Sequence, residues 1–390
     1  MIKRVAILGS TGSIGKCLLN IIVRDKKNFQ ILLLTANKNY KLLLNQAKKY
    51  KVKNLIITDK KSFETLKKKL KKNRSIKLFN NYNCFNKIFK TKLDYTMSSI
   101  VGIEGLDPTL KIIKFTKEIA IANKESIICG WNLIQKRLKK FKTKFIPVDS
   151  EHFSIWYGLQ NHTSNHIEKI YITASGGPFF KTPLNKFKNI KLKQATSHPN
   201  WNMGKKISVD SSTMINKIYE VIEAKNIFNI SYKNIKIILH PKSYVHALIK
   251  FNNGLIKIIA HDTTMQVPIF NTLYLNTTKK INSKNINIQH LNNLKFTKVD
   301  SKRYPMIKLL NFLPKKSSLF ETVLVSANDT LVELFLNKNI KFIELQKILF
   351  NFIKMKEFNK YKKIAPENVQ NIIKLNQYVR LKLLNKVYKF

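Results

Sequence analysis

The chain has 390 residues, of which 44% are hydrophobic, and its 72 Lys and Arg against 22 Asp and Glu give a formal net charge of +50. This length allows two or three domains with a sizeable core, and the hydrophobic content is that of an ordinary soluble protein. No apolar run approaches the roughly 20 residues that a membrane helix needs, so we expect no membrane partner.

The positive charge is spread along the whole chain, together with much Asn, Ile and Phe. This mixture indicates drift under A+T-rich coding rather than one basic patch. The densest run, KKSFETLKKKLKKNR at 60–74, has helical spacing and predicts a solvated face. We therefore expect no specific nucleic-acid partner, although a basic nucleic-acid-binding protein remains an alternative.

The three cysteines, Cys17, Cys84 and Cys129, are scattered and have no CxxC spacing. They suggest neither a disulfide framework nor a zinc cluster. The apolar run Val5–Leu8 is too short for a secretory signal. We expect a cytoplasmic protein.

Strand-like and helix-like segments alternate through the first 150 residues. The strand-like runs are Arg4–Leu8, Gln30–Thr35, Asn54–Thr58, Tyr95–Val101, Glu118–Ala122 and Phe145–Val148. The helix-like runs are Ile14–Arg24, Leu42–Tyr50, Pro108–Thr116 and Ser126–Lys139. Such alternation predicts an α/β fold whose N-terminal domain, 1–149, is a Rossmann-like, doubly wound parallel sheet with helices on both faces.

The rest of the chain has a different pattern of predicted strands and helices. Residues 150–274 predict a central α+β domain, with strands at Lys169–Thr173, Ile235–Leu239, Tyr244–Phe251 and Gly254–Ala260, a helix from about Ser211 to Lys225, and a lid loop at 176–206. The polar, Asn-rich residues 275–300 predict a linker. Helical periodicity from 301 to 390 predicts a C-terminal all-α domain.

The first motif is ILGSTGSIG at 7–15, where a strand leads into Gly9, Gly12 and Gly15 before a helix. Glycines allow a tight turn and close approach of a pyrophosphate, whose charge the helix N-terminus stabilises. The second strand then ends in Asn37-Lys38-Asn39 with no acid nearby in sequence. An NAD site would need a carboxylate there, so this corner favours NADPH.

Three further segments carry polar groups. ANKES at 122–126 follows a strand and should lie at the same sheet edge, although an ordinary capped turn is equally possible. In VDSEH at 148–152, Asp149 and Glu151 would share one face of an extended segment, so either a cation lies between them or the pair is solvated. The helix 209–224 aligns Thr213, Asn216, Lys217 and Glu220, which suits either a solvent face or a phosphate site beside a metal carboxylate.

Together with SGGPF at 175–179 and HPNWNMGKKISVDSSTMINK at 198–217, these motifs resemble the 1-deoxy-D-xylulose 5-phosphate reductoisomerase family. The match is dense over residues 1–250 and weaker beyond. The resemblance implies an NADPH-dependent oxidoreductase of the non-mevalonate isoprenoid pathway. Such an enzyme rearranges and reduces 1-deoxy-D-xylulose 5-phosphate, a small sugar phosphate, to 2-C-methyl-D-erythritol 4-phosphate, and is usually a homodimer.

The resemblance also implies roles for individual residues. It makes Asp149, Glu151 and Glu220 the ligands of Mg²⁺ or Mn²⁺ and counts them as catalytic together with Lys124 and His198. The implied substrate contacts are Lys124, Ser150, Glu151, Ser175, His198, Ser211, Asn216, Lys217 and Glu220, and Trp201 would shield the site. The implied cofactor contacts are Thr11, Gly12, Ser13, Ile14, Asn37, Lys38, Asn39, Asn123, Glu125 and Gly204.

The chain departs from the family pattern at three positions. Asn37 replaces a usual Gly, so a backbone that needs a positive φ would be modestly strained. Glu104 replaces a small residue and adds a negative charge near the nicotinamide side, and Ile218 replaces a Gly on the apolar side of the site helix. A dehydrogenase without rearrangement, and a homologue that binds without turnover, remain alternatives.

Overall fold

The structure is a computed structural model that describes residues 2–71, 75–160, 162–275 and 277–388. Its strands are β1 (Lys3–Leu8), β2 (Phe29–Ala36), β3 (Asn54–Ile57), β4 (Lys77–Phe79), β5 (Leu93–Ser98), β6 (Thr116–Ile121), β7 (Lys144–Pro147), β8 (Ile167–Ala174), β9 (Ile235–Leu239), β10 (Val245–Phe251), β11 (Ile256–Ala260) and β12 (Thr297–Lys298).

Helices occupy most of the remaining described segments. They are α1 (Ser13–Val23), α2 (Tyr40–Tyr50), α3 (Lys60–Lys69), α4 (Phe85–Ile88), α5 (Leu106–Ile112), α6 (Lys124–Phe141), α7 (Ser150–Gly158), α8 (Leu192–Ala195), α9 (Lys205–Ser212), α10 (Ile215–Phe228), α11 (Gln266–Leu273), α12 (Ile288–Asn292), α13 (Phe320–Leu336), α14 (Phe342–Ile353) and α15 (Val369–Val387). No helix in the described ranges is both long enough and apolar enough to span a membrane.

The chain separates into two units. The first comprises the described residues of Met1–Ser126, Asn132–Asp149 and Met265–Ile281. Its sheet has the order β4-β3-β2-β1-β5-β6-β7, and neighbouring strands are parallel. The inner strands are buried runs of Val, Ile and Leu because helices cover both faces. The predicted fold class is therefore confirmed in this unit.

The second unit comprises Ile127–Trp131 and the described residues of Ser150–Thr264 and Asn282–Phe390. Its mixed sheet has the order β11-β10-β8-β9-β12, in which β8 and β9 are parallel and the other pairs are antiparallel. Helix α13 is buried over most of its length and packs against α9, α14 and α15. The α+β character and the helical C-terminal region both agree with expectation, whereas the three predicted domain boundaries stay a prediction.

Side-chain caps explain where several helices of the first unit begin. Asn39 accepts a hydrogen bond from the Leu42 N–H at the start of α2, and Asp59 accepts one from the Ser62 N–H at the start of α3. Such caps satisfy backbone donors that have no partner within the helix. The lysine-rich run at 60–74 is helical from Lys60 to Lys69, as predicted, and residues 72–74 lie outside the described residues.

Three local predictions are wrong. Asp149 and Glu151 do not share an extended segment, because helix α7 begins at Ser150 and Glu151 lies in its first turn. The site helix is interrupted: α9 ends at Ser212, and Met214 adopts a left-handed φ of 69° before α10 begins. The loop 176–206 contains a 3₁₀ segment at Leu184–Asn189 and helix α8, and its last residues already belong to α9.

Candidate active site

The glycine turn after β1 is shaped by two close backbone approaches. Gly9 has a φ of 85°, and a Cβ atom there would lie 2.7 Å from the Ser99 carbonyl oxygen. A Cβ atom on Gly15 would lie 2.5 Å from the Gly9 carbonyl oxygen. Only glycine fits at either position, and the turn therefore brings the start of α1 to the carboxyl edge of the sheet. The candidates Thr11, Gly12, Ser13 and Ile14 lie on the exposed or half-exposed part of this turn.

Buried hydrogen bonds hold the turn in place. The Gly9 N–H donates to Thr35 Oγ1 at 2.9 Å, and Ser10 Oγ donates to Gln46 Oε1 at 2.7 Å. The amide of Gln46 in turn donates to the Ser10 carbonyl oxygen at 2.9 Å. A fully satisfied network of this kind fixes the backbone before any ligand arrives.

The corner after β2 is exposed at Asn37, Lys38 and Asn39. Asn37 is not among the described non-glycine residues with positive φ, so the strain expected from replacing a glycine there does not arise. Asn39 accepts from Leu42 N–H at 3.1 Å and caps α2. Lys38 thus remains the cation of this corner.

An acid does lie beside this corner, which the linear sequence did not indicate. The Asp59 N–H donates to the Asn37 carbonyl oxygen at 3.3 Å. Hydrogen bonds from Ser62, together with the nearby charge of Lys38, hold the pKa of Asp59 below its usual value. Its carboxylate is engaged as the cap of α3, where it accepts from the Ser62 N–H at 2.9 Å.

The ANKES segment combines a cap with an ion pair. Asn123 Oδ1 accepts from the Ser126 N–H at 2.5 Å, and its amide donates to the Gly102 carbonyl oxygen at 2.8 Å, so the capping role is real. Lys124 Nζ lies 2.5 Å from Asp149 Oδ2. The structure therefore brings together Lys124, a predicted substrate contact after β6, and Asp149, a predicted metal ligand after β7. The neighbouring Glu125 is buried.

The second unit contains two buried carboxylates that share one ammonium group. Lys217 Nζ contacts Glu151 Oε1 and lies 2.5 Å from Glu220 Oε2. The side chains of Ser150 and Asn216 each donate to one of these carboxylates at 2.5 Å. The polar stripe of α10 is thus turned inward rather than towards solvent.

The ionisation of Lys217 follows from its surroundings. Burial alone would lower the pKa of this ammonium, but the Glu151 and Glu220 carboxylates outweigh it and raise the pKa. Lys217 is therefore charged at neutral pH. His152, next to Glu151, directs its Nε2 to the Glu220 carbonyl oxygen at 2.9 Å and so joins α7 to the backbone of α10.

Residues 175–177, called here the SGG loop, approach the C-terminal end of α9 closely. Gly176 and Gly177 have φ values of 83° and 63°, and a Cβ atom on Gly177 would lie 3.0 Å from the Ser211 carbonyl oxygen. Ser175 Oγ accepts from the Gly177 N–H at 3.0 Å. Two predicted phosphate serines, one before and one after the long loop, are therefore carried by backbone segments in contact.

The hydrogen bonds of His198 fix its tautomer. Its Nδ1 accepts from the backbone N–H groups of Asn200 and Trp201 at 3.1 and 3.0 Å. The ring proton must then be on Nε2, which donates to Ser175 Oγ at 2.9 Å. Burial, and then the charge of Lys217, lowers the pKa of His198 to about 4, so the ring is neutral at pH 7.

Comparisons with known proteins extend over the whole chain. The family model for 1-deoxy-D-xylulose 5-phosphate reductoisomerase matches residues 5–130, and two models for its C-terminal domains match residues 145–228 and 262–382. The reductoisomerase of Pelagibacter ubique is 59% identical over 383 residues, which are 98% of each chain. The chain belongs to the 1-deoxy-D-xylulose 5-phosphate reductoisomerase family.

Further members of this family are similar to the chain over nearly its whole length. The reductoisomerase of Clostridium novyi is 37% identical over 391 residues and is covered completely, as is this chain. The solved enzyme of Zymomonas mobilis in complex with NADPH has a TM-score of 0.88 at 29% identity, with 100% of both chains covered. A DOX-P reductoisomerase solved with NADPH, fosmidomycin and magnesium has a TM-score of 0.90 at 29% identity, covering 99% of this chain and 98% of that one. The resemblance inferred from the motifs is confirmed.

The structure also reveals two imidazoles that sequence reasoning did not single out. The rings of His246 and His261 stack with centroids 3.7 Å apart, and Trp201 meets His246 edge-on at 6.0 Å. Burial, and then the neighbouring ring, lowers the pKa of His246 to about 3. A regular strand pattern gave no sign of this pair, because β10 and β11 bring the two residues together across a hairpin.

Loop anchoring depends on another residue that the motifs did not mark. The Asn200 amide donates to the Pro241 carbonyl oxygen at 2.6 Å and to Ser243 Oγ at 2.9 Å. These contacts tie the loop to residues 240–243, which directly follow β9. Gly204, the only cofactor candidate in the second unit, is exposed and precedes α9 as its N-cap.

The chemistry of the donor groups fits a hard divalent cation. Glu151 and Glu220 offer carboxylate oxygens, and their two negative charges face the single positive charge of Lys217. Oxygen-only ligation suits Mg²⁺ or Mn²⁺. Asp149, two residues before Glu151 in the chain, is the third candidate ligand.

Proposed function

We propose that the chain catalyses the NADPH-dependent rearrangement and reduction of 1-deoxy-D-xylulose 5-phosphate to 2-C-methyl-D-erythritol 4-phosphate, with a divalent metal ion. Family membership supports the reaction, and one observation supports its site. That observation is the buried cluster in which Glu151 and Glu220 share the ammonium group of Lys217. A dehydrogenase without rearrangement has no need of such a cluster.

Asp149, Glu151 and Glu220 would hold the metal ion, Mg²⁺ or Mn²⁺. When bound, the metal supplies Lewis-acid stabilisation of negative charge on the substrate's ketone and neighbouring hydroxyl oxygens. Ser150 and Asn216 fix the orientations of Glu151 and Glu220 by hydrogen bonds. Lys124, paired with Asp149, would contact the hydroxyl-bearing part of the substrate.

Ser175, Ser211, Asn216 and Lys217 would hold the phosphate group. Gly176 and Gly177, which follow Ser175, both have positive φ values and allow the loop to approach Ser211 closely. This approach supports a shared anion site. Neutral His198 donates from Nε2 to Ser175, and the same N–H would serve a phosphate oxygen. Trp201, from the same loop, would shield the site from water.

NADPH would bind at the glycine turn of the first unit. Thr11, Gly12, Ser13 and Ile14 offer the start of α1 to the pyrophosphate, and Lys38 offers a cation to the 2′-phosphate between Asn37 and Asn39. Asn123 and Glu125, at the carboxyl edge of the same sheet, and Gly204 are the remaining cofactor residues. When bound, NADPH would supply the hydride that reduces the rearranged aldehyde.

We also infer a homodimer in the cytoplasm. Strand β11 is at one edge of the second unit's sheet, and Ile256 and Ile258 on it are 56% and 50% exposed. An open edge strand that exposes large apolar side chains is a surface that proteins normally cover. The cytoplasmic location rests on the cysteine pattern.

The direct test of the activity is NADPH oxidation with 1-deoxy-D-xylulose 5-phosphate, with and without a chelator. We expect absorbance loss that stops on chelation and returns on addition of Mg²⁺ or Mn²⁺. Oxidation that a chelator leaves unchanged would exclude the metal-dependent reaction.

A further inference from the structure

The segment that carries Ser211 is tied to the C-terminal helical region through a buried polar pair. Asp210, the residue before Ser211 on α9, is 2% exposed, and its Oδ1 accepts a hydrogen bond of 2.7 Å from Asn328 Nδ2. Asn328 lies within α13 and is fully buried. Hydrogen bonds to a buried carboxylate are among the stronger ones in proteins, and breaking one leaves a costly charge.

A second tie joins the same two helices. Lys206 Nζ lies 3.0 Å from Asp329 Oδ1 on α13 and 3.6 Å from Asp210 Oδ2 on its own helix. Lys206 is the last residue of the predicted lid loop. Consecutive residues of α13, Asn328 and Asp329, therefore fix both the first turn of α9 and its last.

The position of α9 determines the phosphate site on two sides. Ser211 lies on α9 itself, and the close approach of Gly177 to the Ser211 carbonyl oxygen means that the SGG loop follows any shift of this helix. The Met214 N–H donates to the same Ser211 carbonyl oxygen at 3.2 Å, immediately before α10. A small movement of α9 would thus displace both serines relative to Lys217.

We propose that Asn328, acting through Asp210, is a positioning residue for the substrate's phosphate group, so that α13 contributes to substrate affinity without touching the substrate. This inference rests on the proposed function, because it takes Ser211 as a phosphate ligand. It assigns the C-terminal region a role in binding beyond packing.

The test compares Asn328→Ala with the exchange D210N/N328D, which moves the carboxylate to α13 and restores a donor on α9. Affinity for inorganic phosphate, KM for the sugar phosphate, kcat, and NADPH affinity are measured for each. Asn328→Ala should weaken phosphate binding and raise KM about tenfold, equivalent to about 1.4 kcal/mol, with NADPH affinity unchanged. The exchange should recover most of this loss.

Glu333→Gln is the matched control, because Glu333 ties the same helix to α15 through Arg380 at 2.8 Å and not to α9. It should leave phosphate affinity unchanged. Unchanged phosphate affinity in Asn328→Ala, or an equal loss in Glu333→Gln, would overturn the inference. If Asn328→Ala does not fold, Lys206→Met should weaken phosphate binding about threefold, and no change there would be equally decisive.

Ser211→Ala separates this inference from the proposed function. If Ser211→Ala weakens phosphate binding and Asn328→Ala does not, only the positioning role fails. If neither variant changes phosphate affinity, the assignment of Ser211 to the phosphate site is wrong as well.

Discussion

At the scale of single residues, Lys217 sets the charge balance of the carboxylate cluster in the second unit. A buried carboxylate without a partner is costly, so Glu151 and Glu220 need the cation that contacts both. A metal ion bound by the same carboxylates would change the environment of this ammonium. Because Lys217 contacts both carboxylates, a substitution of any one of the three residues changes the charge balance of the cluster.

Glu220→Gln tests the role of this cluster in catalysis. The substitution keeps the shape and one oxygen but removes a charge, and Lewis-acid stabilisation is worth several kcal/mol at the transition state. We expect the rate of NADPH oxidation to fall at least about a hundredfold, at roughly 1.4 kcal/mol for each tenfold change. NADPH affinity, measured by fluorescence titration, should change little, and normal turnover without added metal would contradict the assignment.

His246 predicts a dependence of stability on pH. Burial, and then His261, lowers its folded pKa from 6.5 to about 3. Below pH 6.5 the unfolded chain takes up a proton that the folded one does not, so the free energy of unfolding falls as the pH falls. Between pH 7 and pH 5 this group should contribute a loss of about 2 kcal/mol, at 1.36 kcal/mol for each pKa unit.

His246→Asn should therefore lose about 2 kcal/mol less than the parent protein over the same pH interval. Urea unfolding followed by tryptophan fluorescence measures this, because Trp131, Trp156 and Trp201 all belong to the second unit. Histidines that do not contact His246 contribute equally to both proteins and cancel. Equal losses in the two proteins would show that His246 is not held neutral by burial.

At the scale of elements, the long loop 176–206 is anchored to the rest of the second unit at both ends. Arg303 donates to the carbonyl oxygens of Phe179 and Thr182 at 2.8 and 2.6 Å, and His198 and Asn200 hold the other end. Between these anchors the lysines from 181 to 193 are exposed. The loop is thus fixed at its ends and accessible in its middle.

Ligand binding should protect this accessible middle from trypsin. We expect saturating substrate, or a phosphonate mimic of it, to slow cleavage between residues 181 and 193 at least several-fold, because closure orders the backbone around the ligand. Cleavage in the lysine-rich helix α3, in the first unit, is the internal control and should not change. Equal cleavage of the loop with and without ligand would show that it is not a lid.

The sequence predicted the elements that a simple hydrophobic pattern dictates. The strands of the parallel sheet were placed within about three residues, because buried runs of Val and Ile between helices have few alternatives. The three-residue strand β4 was missed because Lys77–Phe79 is too short for a pattern. The left-handed Met214 was missed because methionine rarely adopts this conformation and gives no local signal.

For the candidate site, the motifs predict Ser175, His198 and Glu220 as site residues, and this stays a prediction. The cap made by Asp59, the loop anchor Asn200 and the paired imidazoles of His246 and His261 arise only from tertiary contacts. Spacing along the chain cannot indicate a contact between distant segments. Such residues could be predicted only with knowledge of the fold.

At the scale of the whole molecule, the exposed edge of the second unit's sheet predicts self-association. Ile258→Lys adds a charge to β11 and should disfavour pairing of two copies. Light scattering should give twice the chain mass for the parent protein and a concentration-dependent fall towards the single-chain mass for the variant. A parent protein that is a monomer at every concentration would contradict the homodimer.

The proposed reaction rearranges the carbon skeleton of the substrate before it reduces it. The most direct measurement is the proton spectrum of the methyl group in the product formed from 1-deoxy-D-xylulose 5-phosphate, NADPH and Mg²⁺. Rearrangement leaves the methyl group on a carbon without hydrogen, so we expect a singlet. Simple reduction of the ketone would leave it on a CH carbon, and a doublet would therefore contradict the proposed rearrangement.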